Sequence, residues 1–220
     1  MQTFATPAPI TAVLDIPAGR IQVIAADRTD TTIEVRPANP AKNRDTRTAE
    51  QTTATYTDGV LQITATAPGR QLLGPGSLEV TIQVPTGSSV RAKAASTELR
   101  AVGRLGDVDF EGAYRHIKID EAASLRLSAV DGDVEIGRLT GPGHITTARG
   151  SITIAEAARG TLELRTQMGD ITLGATPGVS AALNAGTGHG RVHNALKNNG
   201  TTELDIRATT GQGNITARSL

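Results

Sequence analysis

One short phrase recurs through this 220-residue chain: glycine, a polar residue, then a β-branched apolar residue that opens a brief alternating strand. It reads Gly106-Asp107-Val108-Asp109-Phe110, Gly132-Asp133-Val134-Glu135-Ile136 and Gly150-Ser151-Ile152-Thr153-Ile154. It continues as Gly169-Asp170-Ile171-Thr172-Leu173, Gly190-Arg191-Val192-His193 and Gly213-Asn214-Ile215-Thr216, with an echo at Gly19-Arg20-Ile21-Gln22-Val23. Gly132, Gly150, Gly169, Gly190 and Gly213 stand 18, 19, 21 and 23 residues apart. A period near 20 residues is the signature of one structural unit stacked on itself. Glycine suits a corner where a Cβ would be penalised. The Asp, Ser or Asn after it can accept a turn N–H.

A second family of short strands lies between the glycines: 117–119, 125–127, 145–146, 162–164, 181–183 and 204–206. Two strands per coil, with coils stacked about 4.8 Å apart, account for both families. Alternation points Val, Ile, Leu and Phe inward and leaves a polar outer set, among them Lys118, Glu135, Thr153, Glu163, Thr172, His193 and Thr216. Upstream the pattern is less regular. Thr57-Asp58-Gly59 between two alternating runs predicts a hairpin. Residues 37–51 and 67–77 read as exposed loops. The expected fold is therefore all-β, a parallel β-helix or β-solenoid. It forms a single elongated domain over 1–220, with an irregular β region over about 1–85 and repeat coils over about 86–220. An antiparallel β-sandwich or meander is the alternative, because Val130-Asp131-Gly132-Asp133 also suits a hairpin turn. In the solenoid, an uncapped last coil ending at Leu220 invites end-to-end self-association or a cap folded back from the N-terminal region.

Composition agrees with a thin interior and removes several function classes. Aromatic residues make up 2% of the chain, and 22 basic side chains balance 22 acidic ones. Without a basic excess, nucleic acid is not an expected partner. No apolar run is long enough to span a membrane. The chain has no cysteine, so disulfides and thiolate metal sites are excluded. As written, the N-terminus carries no secretory signal, which predicts a cytoplasmic protein unless a leader has been removed.

The repeated Gly-Asp-Val/Ile strands, introduced by Leu14-Asp15-Ile16-Pro17-Ala18-Gly19-Arg20-Ile21, resemble the bacterial putative-adhesin β-strand-repeat family, a domain of unknown function. The run 195–198 and the end 215–220 resemble its actinobacterial branch. The resemblance covers essentially the whole chain. It implies a β-helical repeat fold and brings no catalytic residues.

Candidate chemistry is sparse. Asp107, Asp109 and Glu111 share one strand face, and Asp131, Asp133 and Glu135 form a second acidic group. Stacking in register would bring Asp133 near Asp107 or Asp170. Such carboxylates suit a parallel β-helix enzyme acting on acidic sugars, with Asp107, Asp109, Asp133 and Asp170 as its acid–base candidates. Turn capping by the Gly-Asp residues and solvation of the rest suit them better, since aromatic platforms for sugars are few. Asp follows the repeat glycine too irregularly for calcium-binding rolls. His116, His144, His189 and His193 read as surface or turn residues rather than zinc ligands. Thr153, Thr172 and Thr216 form an outward threonine set that charged residues and His193 interrupt, unlike an ice-binding face. No catalytic, cofactor-binding or metal site is assigned, and no cofactor is expected. The expected function is a non-enzymatic binding or scaffold module for a protein or surface polymer, self-associating through solenoid ends. A carbohydrate-active enzyme using the clustered aspartates is the alternative.

Overall fold

The structure, a computed structural model, describes residues 1–65, 76–112 and 116–220. The expected loop at 67–77 falls almost wholly outside these residues. The chain forms two compact units, Met1–Arg115 and His116–Leu220.

The first unit comprises β1 (Gln2–Ala5), β2 (Thr11–Asp15), β3 (Ala18–Ala26), β4 (Asp30–Pro37), α1 (Asn43–Gln51), β5 (Thr52–Thr57), β6 (Val60–Ala65), β7 (Leu78–Pro85), β8 (Ser89–Lys93) and β9 (Ser96–Glu111). One sheet runs β1–β4–β7–β3–β9. The other runs β5–β6–β2–β8–β9, because β9 is long enough to serve both. The β2–β3 coil, first in sequence, thus lies between the β6–β7 and β8–β9 coils. Alternation buries one face of the stacked parallel strands, including Leu14, Ile21, Leu61, Ile63, Leu78, Ile82 and Leu99, whereas β1 and β5 bury no residue. Each such side chain contributes about 1.5–3 kcal/mol relative to exposure.

Antiparallel pairing in the described residues is confined to β1–β4, β4–β7 and β5–β6. The β5–β6 hairpin turns at Asp58 and Gly59, whose φ values of 50° and 78° fit the turn predicted from sequence. Residues 43–51 correct an expectation: they are helical rather than an exposed loop. The helix buries Asp45 and Thr48 instead of apolar residues. Asp45 accepts the Ser77 N–H at 3.0 Å, and Thr48 Oγ1 accepts the Gly76 N–H at 3.2 Å. The Phe4 and Tyr56 rings meet 5.7 Å apart between β1 and β5.

The second unit carries most of the repeat: β10 (Ile117–Asp131), β11 (Val134–Leu139), β12 (Gly143–Arg149), β13 (Ile152–Ala157), β14 (Gly160–Met168), β15 (Ile171–Ala175), β16 (Ala181–His189), β17 (Val192–Ala195), β18 (Leu204–Gln212) and β19 (Ile215–Ser219). All its pairings described are parallel, which excludes the meander here. One sheet is β10–β11–β13–β15–β19–β17 and the other β10–β12–β14–β18–β16. The final coil, β18–β19, is therefore not terminal. It is threaded between β14–β15 and β16–β17, and Ile215 and Ala217 are buried. The expectation of an uncapped last strand is corrected: the outer coil is the penultimate one. Inward columns taper toward it, as in Ile136, Ile154, Leu173, Ala217 and Asn194.

The repeat phrase builds the corner. Gly150, Gly169, Gly213 and Gly190 stack in that order with φ between 134° and 157°. A Cβ on Gly169 would sit 2.1 Å from the Gly150 carbonyl oxygen, and one on Gly213 2.1 Å from that of Gly169. Only glycine allows coils to approach this closely. Thr166, Thr210 and Thr187 hydroxyls donate to the Gly150, Gly169 and Gly213 carbonyls at 3.0, 2.9 and 2.8 Å. The polar residue after each glycine links the coils. Asp133 Oδ1 accepts the Ser151 N–H at 2.8 Å, and Ser151 Oγ the Asp170 N–H at 3.3 Å. Asp170 Oδ1 accepts the Asn214 N–H at 2.6 Å, and Asn214 Oδ1 the Arg191 N–H at 3.0 Å. Arginine has no acceptor, so the ladder stops where the stack stops.

Candidate functional site

Outward residues of β6, β2, β8 and β9 line a groove of about 420 Å³ in the first unit. Register fixes their order. Gln62, Val13, Arg91 and Asp109 form one row across the strands, and Thr64, Asp15, Lys93 and Glu111 form the next. Neighbouring strands lie about 4.8 Å apart, so acid and base alternate at that spacing. Lys93 and Glu111 pair at 3.5 Å. The opposite face of the same strands carries Leu14, Ile63, Ala92 and Phe110, all buried, which fixes the backbone under the groove. A second depression, about 350 Å³, lies beside α1 and is lined by Arg20, Lys42, Asp45, Glu79 and Glu98 among others. There Arg20 pairs with Glu98 at 3.1 Å.

The acidic candidates divide into different environments. Asp109 and Glu111 enter the groove, as their shared face required. The sequence reading missed their groove partners Asp15, Arg91 and Lys93, which only strand register brings together. Asp107 lies beside Ser89, whose hydroxyl accepts the Asp107 N–H at 3.1 Å. Asp133 and Asp170 are two coils apart in the second unit, with Ser151 between them, and each spends Oδ1 on a neighbour's backbone. Asp131 pairs with Arg149 at 2.9 Å, and Glu135 with Lys118 at 2.9 Å and His116 at 3.6 Å.

His144 bonds Glu163 on the next coil at 2.9 Å, and that bond holds the Glu163 carboxyl below the usual range. The Arg28 guanidinium does the same to Asp30. Among the described residues no group of three or more His, Cys, Asp or Glu side chains could hold a metal ion. No helix there is long and apolar enough to cross a membrane. The threonine set is corrected in one respect. Threading of β19 beside β15 makes Thr153, Thr172 and Thr216 consecutive neighbours, with Glu135 before them and His193 after.

Among solved structures, a putative adhesin from Bacteroides fragilis superposes with a TM-score of 0.57 at 15% identity, covering 98% of this chain and 95% of that one. A putative cell adhesion protein from Clostridium sporogenes matches over 100% of this chain and 98% of its own, at 14% identity and a TM-score of 0.35. The first likeness bears on fold alone. No curated protein matches the sequence. The profile of the Toastrack DUF4097 family matches residues 11–218, nearly the whole chain. With its stacked parallel coils and its corner glycines, the chain belongs to the Toastrack DUF4097 family.

Proposed function

We infer that this chain is a non-enzymatic binding module whose recognition surface is the groove over β6, β2, β8 and β9. The observation that carries this reading is the alternation of Asp15, Lys93 and Glu111 beside Arg91 and Asp109 on a sheet face rigidly backed by core. A rigid face holding charges at a fixed repeat favours a polar, extended ligand, since the ordering cost is already met before binding. A surface polysaccharide bearing both charges fits that spacing, and its binding would be salt-sensitive. A protein described as a putative adhesin shares the fold, which is compatible with such a role. A displayed polymer places the protein outside the cytoplasm; the cytoplasmic expectation is the alternative.

The enzyme reading keeps one observation in its favour. Asp109 and Glu111 lie two residues apart on one strand, about 7 Å, within the range for carboxylates that activate water across a glycosidic bond. One experiment addresses both readings. The intact protein and an Arg91→Glu/Lys93→Glu variant are passed over immobilised neutral, uronic-acid and zwitterionic polysaccharides, with reducing ends assayed in parallel. Binding to the zwitterionic polymer, lost at least tenfold in the variant and without new reducing ends, is expected. Equal binding by both proteins would sink the groove assignment, and reducing ends abolished by Asp109→Asn would make the protein an enzyme.

A further inference from the structure

The outer coil of the second unit is built as an open pairing edge. Among the described residues β16 pairs only with β18, and β17 only with β19. Every residue of β17 is exposed, and Val192, in register with buried Ile215, is 45% exposed. The chain itself begins to pair along the free side of β16 and then stops. Ala181 N–H donates to the Lys197 carbonyl at 3.0 Å, and Asn198 Nδ2 donates to the Ala181 carbonyl at 3.0 Å. The Ser180 carbonyl, pointing the other way, accepts from Leu204. Alternation along an extended strand then turns the amides of Leu183 and Ala185 to the same free side as Ala181. Nothing described pairs with them there.

Charge selects the partner for this edge. Residues 181–202 contain Arg191 and Lys197 and no Asp or Glu. Lys197 stands at the start of β16, and Arg191 follows its end. The first unit carries the complementary edge. β5 pairs only with β6 among the described residues. Its six residues are flanked by Glu50 and Asp58, and residues 50–59 contain no Lys or Arg. None of Glu50, Asp58, Arg191 and Lys197 forms an ion pair within the described residues. Two copies of the β16 edge would repel each other; β5 against β16 matches strand to strand and acid to base at both ends.

We propose that molecules of this protein associate by strand addition, with β5 of one copy pairing along the free side of β16 of another. Main-chain hydrogen bonds supply affinity in such contacts, and flanking charges supply choice of partner. The contact is heterologous, and each copy carries one edge of each kind.

Two charge variants of the full chain test it by sedimentation. Arg191→Glu/Lys197→Glu spoils the β16 edge. Glu50→Lys/Asp58→Asn spoils the β5 edge and keeps an Asn-Gly turn, which suits the hairpin. The parent is expected to gain mass with concentration at low salt and to lose it as salt rises. Each variant alone should associate at least tenfold more weakly. An equimolar mixture should regain a dimer, because it contains one intact edge of each kind. Circular dichroism checks that both variants are folded. Ala185→Pro, which removes a free-side N–H and no ladder bond, should weaken association without altering charge. A parent that is monomeric throughout, or a mixture that stays monomeric, overturns the proposal. Weakening by Arg191→Glu/Lys197→Glu alone, with no effect of Glu50→Lys/Asp58→Asn, overturns β5 as the occupant and leaves an acidic strand from another protein.

Discussion

The two units finish their stacks in opposite ways. The first places antiparallel β1 and β5 outermost, packs α1 against β4, and brings Phe4 and Tyr56 together between the two sheets. The second leaves a tapering coil with Asn194 where the neighbouring coil has buried Ala217. Both otherwise share one device, a coil threaded out of chain order: β2–β3 in the first unit, β18–β19 in the second. The lesson is that the repeat decides what lies inside, whereas the outermost coil decides what is left to pair. Arg191 marks that change of role, because its N–H donates to Asn214 Oδ1 on the neighbouring coil while its own side chain offers no acceptor to a further one.

The largest test of this contrast is at the corner column. Gly169→Ala forces a Cβ to 2.1 Å from the Gly150 carbonyl at φ +148°, and neither backbone can move without opening a ladder. We expect a loss of about 3–5 kcal/mol by urea denaturation, in the range of severe backbone and packing lesions. Gly19→Ala, 1.8 Å from the Leu78 carbonyl, should do comparable damage in the first unit. Gly178→Ala is the control: φ is +85° and nothing lies within 4 Å, so about 1 kcal/mol of strain is expected. Equal losses at Gly169 and Gly178 would mean that close approach between coils is not what glycine provides.

The same column shows what sequence can reveal. Glycine spacing, inward Val, Ile and Leu, and the Asp-Gly hairpin are local signals, and the fold class follows from them. Threading is not local. Ile171 pairs with Ile215 rather than Val192, and a hydrophobic pattern cannot distinguish those partners. The one residue-level hint was Arg191, the non-acceptor among Asp133, Ser151, Asp170 and Asn214. It was ambiguous, since Arg20 in the echo lies in register between Glu79 and Glu98 and serves a salt bridge instead. Helix α1 was illegible for another reason. Its buried face is Asp45 and Thr48, which satisfy loop amides, so no apolar period exists to find. At the groove, alternation placed Asp109 and Glu111 on one face, but Arg91, Lys93 and Asp15 arrive only through register between strands far apart in sequence.

A middle-sized effect separates interior coils from the outer one. Asp170→Ala removes the acceptor of the Asn214 N–H and should cost about 1 kcal/mol, as for a lost side-chain cap. Asp170→Asn keeps an oxygen in place and should cost less. Arg191→Ala removes no acceptor and should be neutral in stability. If Arg191→Ala destabilises as much as Asp170→Ala, the ladder does not end at Arg191.

The smallest effect concerns two carboxylates held below their usual range, one in each unit. Hydrogen bonding from Arg28 is the main cause at Asp30, and hydrogen bonding from His144 at Glu163, with burial opposing in both. A folded pKa below the unfolded one adds stability that is present above the unfolded value and disappears as pH falls through the folded one. The parent should therefore lose urea resistance on the acid side, and Asp30→Asn and Glu163→Gln should each flatten that limb. Both carboxylates keep partial access to solvent, which screens the pairs, so the changes should be slight. They differ in reach, which makes them informative. Arg28 and Asp30 are two residues apart, and the bond that Arg28 also donates to Gln83 on β7 does not pass through Asp30, whereas His144 and Glu163 bridge β12 to β14 across a coil boundary. Glu163→Gln should consequently increase hydrogen exchange in β12 and β14 at neutral pH, while Asp30→Asn leaves exchange in the first unit's sheets unchanged. Identical exchange in Glu163→Gln and parent would show that the backbone ladders, and not the outward charge pairs, set the stability of the coils.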